Sequence, residues 1–204
     1  ASRVSTSISR GQSAGRIAMK SLDQGQRRGC VAAQDSGLCQ THDGAAALSD
    51  RPGTYLILLE PRVAGPVPIG RLGTLTLDGG VLLYIGSALG PGGVEARCRH
   101  HLRIADRPRW HLDSLRPHCD VIGIWAGCGP RRCEHRWARA LAALSDASIP
   151  LARFGASDCR CAAHLIRLPC LPAVPLFAAT LGRGQFHRSV DLTPCLRGRA
   201  AARH

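Results

Sequence analysis

The sequence predicts an α+β domain in which helices flank a small, mainly antiparallel β-sheet of three or more strands. Two stretches carry this prediction. The stretch "TYLILLE" at 54–60 is a continuous apolar run, which is typical of a strand covered on both faces. The stretch "GRLGTLTLDGGVLLYIG" at 70–86 indicates two strands joined at Asp78-Gly79, and Asp-Gly is a strong hairpin signal. Because hairpins join antiparallel strands, we expect the sheet to be mainly antiparallel.

The remaining elements follow in chain order. A basic helix is expected at roughly 92–104, and "RWHLDSLRPH" at 109–118 predicts a short helix that ends at Pro117. "DVIGIWAG" at 120–127 predicts another strand. The stretch 130–146 has a proline in its expected first turn and predicts a helix with an apolar face formed by Cys133, Trp137, Leu141 and Leu144. The segment 153–169 is expected to form a loop followed by a short strand.

These patterned segments define one predicted domain at 51–170. Residues 1–50 are rich in Ser, Gly, Gln, Ala and Arg and are predicted to be a flexible extension. The start of this extension lacks acidic residues, as organelle transit peptides do; the alternative is that Met19 is the true start. Residues 171–204 are predicted to be a weakly structured tail. We expect no membrane association, because the apolar stretch at 170–182 is too short for a span and contains two prolines.

Composition favours an acidic partner and a reducing compartment. The formal net charge is +13, and residues 51–170 hold sixteen arginines against nine acidic residues. This basic excess favours nucleic acid as the partner, and a codon-biased protein surface is the alternative. Ten cysteines occur without a secretory signal in a chain with ample core residues. The thiols are therefore expected to be mostly reduced and the protein cytoplasmic.

A few scarce side chains mark a candidate site. Tyr55 and Tyr84 are the only tyrosines, and Glu134 is one of three glutamates and lies near the start of its helix. Arg97 and His101 are four residues apart, on one face of the basic helix. Cleavage of a phosphodiester needs a cation, an activated water and a positive group for the developing charge, and this set supplies suitable residue types. The alternatives are core aromatics, a helix N-terminal charge and a solvated helix face.

In this order, these residues resemble the GIY-YIG nuclease superfamily. The matching pieces are "GTY" at 53–55, "YIG" at 84–86, "RCRHHL" at 97–102 and the helix glutamate. The wider pattern is more similar to one uncharacterised branch, catalogued as domain of unknown function 123. Its matching pieces are "GTYLILL", "GRLGTLTLDGG", "YIGSALG", "RWHLDSL", "CEHRWARAL" and "FGASDCRCAAHL". The resemblance spans roughly 51–170 and implies a GIY-YIG-like sheet flanked by helices. It also implies association with an endonuclease III-like repair glycosylase.

The resemblance implies a role for each site residue. Tyr55 would act as general base or orient a water on the metal, and Tyr84 would bond within the site. Arg97 would meet the scissile phosphate, and His101, four residues on, matches a histidine seen at that position in many members. Glu134 would be the single carboxylate on Mg²⁺ or Mn²⁺, since Mg²⁺ keeps several of its waters. Six further residues are expected to contact substrate: Gly86, Ser87, Arg99, His111, Ser157 and His164.

The implied function is that of a metal-dependent endonuclease or phosphodiesterase acting on DNA, in a DNA-repair setting. The alternative is a non-catalytic nucleic-acid-binding module of the same fold, stabilised by zinc. "RWHLDSL", with His111 and Asp113, is expected to line the site; the alternative is a helix that buries Trp110 and Leu112.

Two departures from the superfamily pattern stand out. A gap of 28 residues separates Tyr55 from Tyr84, so 61–80 is expected to form an elaborated hairpin or an extra strand. The superfamily's late active-site asparagine has no counterpart, because the chain contains no asparagine. Ser157 and His164 are the candidates to replace it.

A second group of residues has metal-ligand spacing. Cys159, Cys161 and His164 form a C-x-C-x2-H cluster, and Zn²⁺ takes four nitrogen or sulfur ligands. The candidates for a fourth ligand are Cys128, Cys133 and His135. The alternatives are reduced thiols that pack a loop beside Phe154, or a loop that lines the nuclease-like site.

Overall fold

The computed structural model describes residues 47–129 and 131–188, which form an α+β fold, as predicted. The helices are α1 (Gly93–Leu102), α2 (His111–Leu115), α3 (Glu134–Ala142) and α4 (Val174–Leu181). The strands are β1 (Gly53–Pro61), β2 (Gly65–Pro68), β3 (Thr74–Leu77), β4 (Val81–Ala88), β5 (Cys119–Cys128), β6 (Leu165–Leu168) and β7 (Gln185–Arg188). Five strands form an antiparallel sheet in the order β6-β4-β1-β5-β7, and β2 and β3 form a separate antiparallel pair.

Strand β1 lies at the centre of the large sheet and is buried on both faces, as its apolar run predicts. Tyr55, Ile57 and Leu59 belong to one hydrophobic core, which also holds residues of α1, α2 and the small sheet. Leu56 and Leu58 belong to a second core with residues of α3 and α4. The alternation of side chains along one strand therefore separates the two cores.

The hairpin predicted at Asp78-Gly79 is wrong. β3 pairs with β2, whereas β4 pairs with β1 on one side and β6 on the other. Since both edges of β4 are occupied, β3 has no place beside it. Gly79 and Gly80 have φ values of +94° and +75°, which glycine adopts readily, and they lead the chain from the small sheet to the large one. The expectation of extra strand structure within 61–80 is confirmed by β2 and β3.

Helix α1 begins where the preceding chain packs closely against it. Gly93 has a φ of +52°, and a Cβ there would lie 2.2 Å from the carbonyl oxygens of Asp50 and Arg51. The amide of Glu95 donates to the carbonyl of Ser49, and Leu48 is buried in the first core. The end of the predicted N-terminal extension thus packs on α1, and residues 1–46 of that extension lie outside the described residues.

Helix α3 buries the predicted apolar face. Trp137 and Leu141 are buried in the second core, and Cys133 and Leu144 pack against it while partly exposed. The helix begins at Glu134, after its cap Cys133, and Pro130, which was predicted to lie in the first turn, is outside the described residues. The amide of Cys133 donates to Oγ1 of Thr54 over 3.0 Å, which fixes the start of α3 to β1.

The tail predicted from residue 171 contains regular structure. Helix α4 buries Phe177 and Leu181 in the second core, and β7 pairs with β5 at the sheet edge. Pro175 lies in the first turn of α4, where proline fits a helix, so the two prolines did not prevent one. Residues 189–204 lie outside the described residues. Within the described ranges, no helix combines the length and apolar character needed to span a bilayer.

Arg116 holds the end of α1 against β5. Its guanidinium donates to the carbonyls of His101 (2.8 Å), Leu102 (3.1 Å) and Cys119, and the residue is 9% exposed. The last carbonyls of a helix have no partner within the helix, and a buried cation satisfies them here. The position of His101 therefore depends on this arginine.

We expect Arg116→Ala to lower the free energy of unfolding by about 2–3 kcal/mol, because the buried carbonyls would lose their donors. Urea unfolding measures this change. Arg103→Ala, which removes an exposed arginine at the same helix end, is the matched control. Equal losses in the two variants would contradict a specific role for Arg116.

Candidate functional site

Tyr55, Tyr84 and His101 lie side by side in the first core. The Tyr55 hydroxyl is 3.0 Å from Nε2 of His101. The ring centroids are 6.5 Å apart for the two tyrosines and 5.7 Å apart for Tyr84 and His101. Gly86 pairs with Tyr55 across the strands, and a Cβ on Gly86 would lie 2.4 Å from the Tyr55 hydroxyl. The glycine of "YIG" therefore makes room for the tyrosine of "GTY".

Asp113 of α2 completes this group. The sequence predicted only that its helix lines the site. It is 2% exposed, and its Oδ2 accepts the amides of Arg109 (2.9 Å) and Trp110 (3.1 Å). Its Oδ1 lies 3.2 Å from Nε2 of His100 and 3.7 Å from Nδ1 of His101. Burial alone would raise the pKa of Asp113, but the contact with His101 and the two amides outweigh it and hold that pKa well below its usual range.

Burial sets the protonation of this group. It raises the pKa of Tyr55 well above its usual value, so the phenol keeps its proton. It lowers the pKa of His101, although Asp113 acts in the opposite direction, so the imidazole is neutral near pH 7. With both groups neutral, the phenol donates to Nε2 when the imidazole proton is on Nδ1, the nitrogen that faces Asp113. Tyr55, His101 and Asp113 thus lie in a row, called the relay below, in which Tyr55 and His101 are hydrogen-bonded, whereas Nδ1 of His101 lies 3.7 Å from Asp113 without a hydrogen bond.

Glu134 lies in the first turn of α3 and is 8% exposed. The Ser87 hydroxyl donates to its Oε2, while its Oε1 lies 3.4 Å from Arg132 and 3.6 Å from His135. Burial raises the pKa of Glu134, and the positive charge of Arg132 opposes this shift. A carboxylate and a hydroxyl are oxygen donors of the kind Mg²⁺ prefers.

Arg97 and Glu134 both act electrostatically on the two tyrosines. Burial is the main cause of the raised pKa of each phenol, Arg97 lowers that pKa and Glu134 raises it. The Arg97 guanidinium lies over the Trp110 ring, 4.8 Å from its centroid. Among the ion pairs of the described residues none involves Arg97, whereas Arg99 pairs with Glu95. The charge of Arg97 is therefore available to an anion.

An open depression of about 420 Å³ lies beside this group. It is lined by His100, Ala105, Asp106, Arg107, Arg109 and Trp110. Trp110 is 39% exposed and lies on this arginine-rich surface. Its ring also contacts the guanidinium of Arg97.

The other predicted substrate contacts have partners within the protein. The Gly155 amide donates to Nδ1 of His111 over 2.9 Å, so His111 joins α2 to the loop. Ser157 is exposed on that loop, and its carbonyl lies 3.5 Å from Arg153. His164 is buried beside Cys159.

His135, Cys159, Cys161 and His164 come together as one group that could hold a metal ion. Each offers one ligand atom, and these atoms all lie within 4.8 Å of one another. The Cys159 sulfur is 3.5 Å from Nε2 of His164, and the Cys161 sulfur is 3.3 Å from Nδ1 of His135. His135 is therefore the fourth member of the predicted C-x-C-x2-H cluster. Both thiols are free, whereas Cys170 is disulfide-bonded.

Fold and site together define an α+β domain with a buried Tyr–His–Asp relay and an adjacent cysteine–histidine group. A family model described as "Domain of unknown function DUF123" matches residues 54–180, and the chain belongs to that family. Comparison with curated proteins and with solved structures found no match. The predicted relation to the wider GIY-YIG superfamily rests on the motifs alone and stays a prediction.

We expect the stability of the protein to fall as the pH is lowered through the histidine range. Folding lowers the pKa of His101 from the unfolded value of about 6.5, so the unfolded state binds more protons below that pH. The contribution of His101 to the free energy of unfolding is fully present above about pH 6.5 and is lost as the pH falls through the pKa of the folded state. The pKa values of His111 and His164 are also lowered by burial, so these histidines add to the same pH dependence. A single variant of His101 is therefore needed to separate its contribution from theirs.

Urea unfolding between about pH 5 and 7.5 measures this dependence. His101→Gln should give a shallower dependence than the wild type, and His118→Gln, a substitution in the turn that follows α2, is the matched control. An unchanged dependence in His101→Gln would argue against a buried neutral imidazole in the relay.

Proposed function

We propose that the protein is a metal-dependent endonuclease or phosphodiesterase acting on DNA, with Tyr55 as general base and Glu134 as metal ligand. The observation that carries the proposal is the relay in which the Tyr55 hydroxyl lies 3.0 Å from His101, and His101 in turn faces Asp113. A phenol that only packed in a core would not need an oriented imidazole and a buried carboxylate behind it. The motif resemblance supports the same reaction class.

The relay gives the proton of the attacking water a path. The water would pass a proton to the Tyr55 oxygen while the phenol proton moves to Nε2 of His101. Asp113, held ionised by its hydrogen bonds, would stabilise the imidazolium that forms. The hydroxide then attacks phosphorus as the bond to the leaving oxygen breaks.

Glu134 would hold the divalent cation, Mg²⁺ or Mn²⁺, with the Ser87 hydroxyl beside it. When bound, that cation would stabilise negative charge on the phosphate. Arg97 would bind a phosphate oxygen, because its guanidinium is fixed on Trp110 and carries an available charge. The arginine-rich depression next to Trp110 would receive the neighbouring phosphates.

A repair setting forms part of this proposal. Its support is the resemblance to a branch that is found with an endonuclease III-like glycosylase. Since a glycosylase removes a base and leaves an abasic site whose neighbouring phosphodiester must still be cut, a phosphodiesterase partner fits that chemistry.

We expect cleavage of DNA in the presence of Mg²⁺ or Mn²⁺, with the rate lowered at least about 100-fold in Tyr55→Phe and in Glu134→Gln. The measurement is a time course of the full chain on single-stranded, duplex, branched and abasic DNA. Glu60→Gln, which replaces an exposed glutamate at the end of β1, is the matched control and should retain the wild-type rate. Equal rates in all four proteins would rule out these assignments.

A second candidate function is a non-catalytic nucleic-acid-binding module. The observation that favours it is burial: Tyr55 is 2% exposed and His101 is 1% exposed, whereas Trp110 and its neighbouring arginines lie at the surface. An exposed indole among cations suits base stacking and phosphate contact without any reaction.

Binding to DNA should weaken as salt is raised, since each phosphate contact releases counterions. Arg107→Ala and Arg109→Ala should each reduce the slope of log affinity against log salt by about one. Fluorescence anisotropy measures this, with Arg71→Ala, in the turn before β3, as control. Unchanged slopes would show that the depression is not part of the DNA-binding surface. Binding to DNA without cleavage in the presence of any metal would favour the binding module over the enzyme.

A further inference from the structure

We propose that His135, Cys159, Cys161 and His164 form a closed tetrahedral Zn²⁺ site. In such a site, Zn–N bonds of about 2.0–2.1 Å and Zn–S bonds of about 2.3 Å place the ligand atoms roughly 3.3–3.8 Å apart. The two nitrogen–sulfur contacts measure 3.5 Å and 3.3 Å, and all four atoms lie within 4.8 Å of one another. A small inward movement of the side chains would complete the tetrahedron. This inference does not depend on the proposed cleavage reaction.

The donor set identifies the class of metal. Two thiolates and two imidazoles are typical of Zn²⁺, whereas Mg²⁺ and Mn²⁺ prefer oxygen donors. Four protein ligands leave no open position for a substrate or a reacting water. The group is therefore assigned as a structural site, distinct from the oxygen donors of Glu134 and Ser87.

The loop that carries the cysteines is fixed in the shape that such a site needs. The guanidinium of Arg153 donates to the carbonyls of Cys159 (2.6 Å) and Cys161 (3.0 Å). The Arg153 amide donates to the carbonyl of Ala162 over 2.6 Å. Among the described residues Arg153 is also the one non-glycine with a positive φ, at 65°. A strained residue held by these bonds keeps both thiols on the same side of the loop.

Both histidines are held in place by neighbours outside the group. The amide of His164 donates to the Phe154 carbonyl over 2.7 Å, which fixes the backbone of this residue. The Nε2 atom of His135 lies 3.6 Å from Oε1 of Glu134. A ligating histidine usually gives its other N–H to a carbonyl or a carboxylate, which fixes the tautomer and the ring. Here each histidine turns its remaining nitrogen toward a cysteine sulfur.

The proposed ion would fasten the first turn of α3 to the loop before β6. His135 comes from α3, whereas the other three ligands come from residues 159–164. The side chain of His135 is 36% exposed and His164 is buried, so the ion would lie near the surface with an open path for entry.

The first test measures the metal itself in the full chain. Protein purified from zinc-containing medium should hold about one zinc per chain by elemental analysis. After exchange, Co²⁺ should give the visible absorption of a tetrahedral ion together with thiolate-to-cobalt charge transfer. A chain that binds neither ion, or an octahedral cobalt spectrum without charge transfer, would overturn the proposal.

The second test uses matched cysteine and histidine variants. Cys161→Ser and His135→Gln should each weaken Zn²⁺ affinity at least about tenfold in a chelator competition. Cys128→Ser, which changes an exposed free cysteine outside the group, should bind Zn²⁺ as the wild type does. Equal affinity in all four proteins would overturn the ligand assignment. The cobalt spectrum of the wild type decides the matter where a variant fails to fold, and neither readout involves DNA cleavage.

Discussion

The register of β1 against β4 is the constraint on which the candidate site depends. Tyr55 lies opposite Gly86 and Ile57 opposite Tyr84, so both tyrosines face the same core. A slip of one residue would turn the side chains of β1 to the other face, away from α1. The register also explains the glycine, since any larger residue at 86 would collide with the phenol that bonds His101. Because β1 is apolar and buried on both faces, burial does not select this register, whereas the fit of Tyr55 against Gly86 does.

The first turn of α3 joins the two chemical groups of the molecule. Glu134 meets Ser87 with one oxygen and His135 with the other, while His135 meets Cys161 through its opposite ring nitrogen. Consecutive residues on a helix point about 100° apart, so one helix start can serve two neighbouring sites. With zinc bound, the imidazole would hold the carboxylate oxygen that Ser87 does not hold. Glu134 would then be fixed from both sides, by Ser87 of β4 and by His135 of α3.

The features that could be predicted from the sequence are those that periodicity and spacing encode. The apolar run of β1, the helix face with Trp137 and the grouping of Cys159, Cys161 and His164 are local patterns. Each is found as predicted, and the last group could hold a metal ion. The hairpin at Asp78-Gly79 failed because strand partners are chosen by the whole sheet, and β4 had better partners on both edges. The helix within 171–188 was missed because its prolines signal breaks as readily as helix starts.

Two residues of the site were named from the sequence, but without their partners. Asp113 lies in the middle of a short helix, and its importance follows from the distance between α1 and α2 in the fold. His135 was one of three candidates for the fourth ligand, and only the folded chain places it against Cys161. In both cases the partners are distant in sequence, so spacing cannot find them.

Burial of the relay has two opposite effects on the chemistry proposed for it. A medium of low polarity would strengthen the attraction of Asp113 for a protonated His101. Burial also raises the pKa of Tyr55 and lowers that of His101, which opposes the proton transfer that we propose between them. The same medium makes it costly to bring a phosphate charge near the phenol unless a cation comes with it. Arg97 is half-buried and stacked on Trp110, which lines the surface depression, and its charge lowers the pKa of both tyrosines. Under the proposed function, an anion would enter along Trp110, because that path would keep a guanidinium beside it as its hydration is lost.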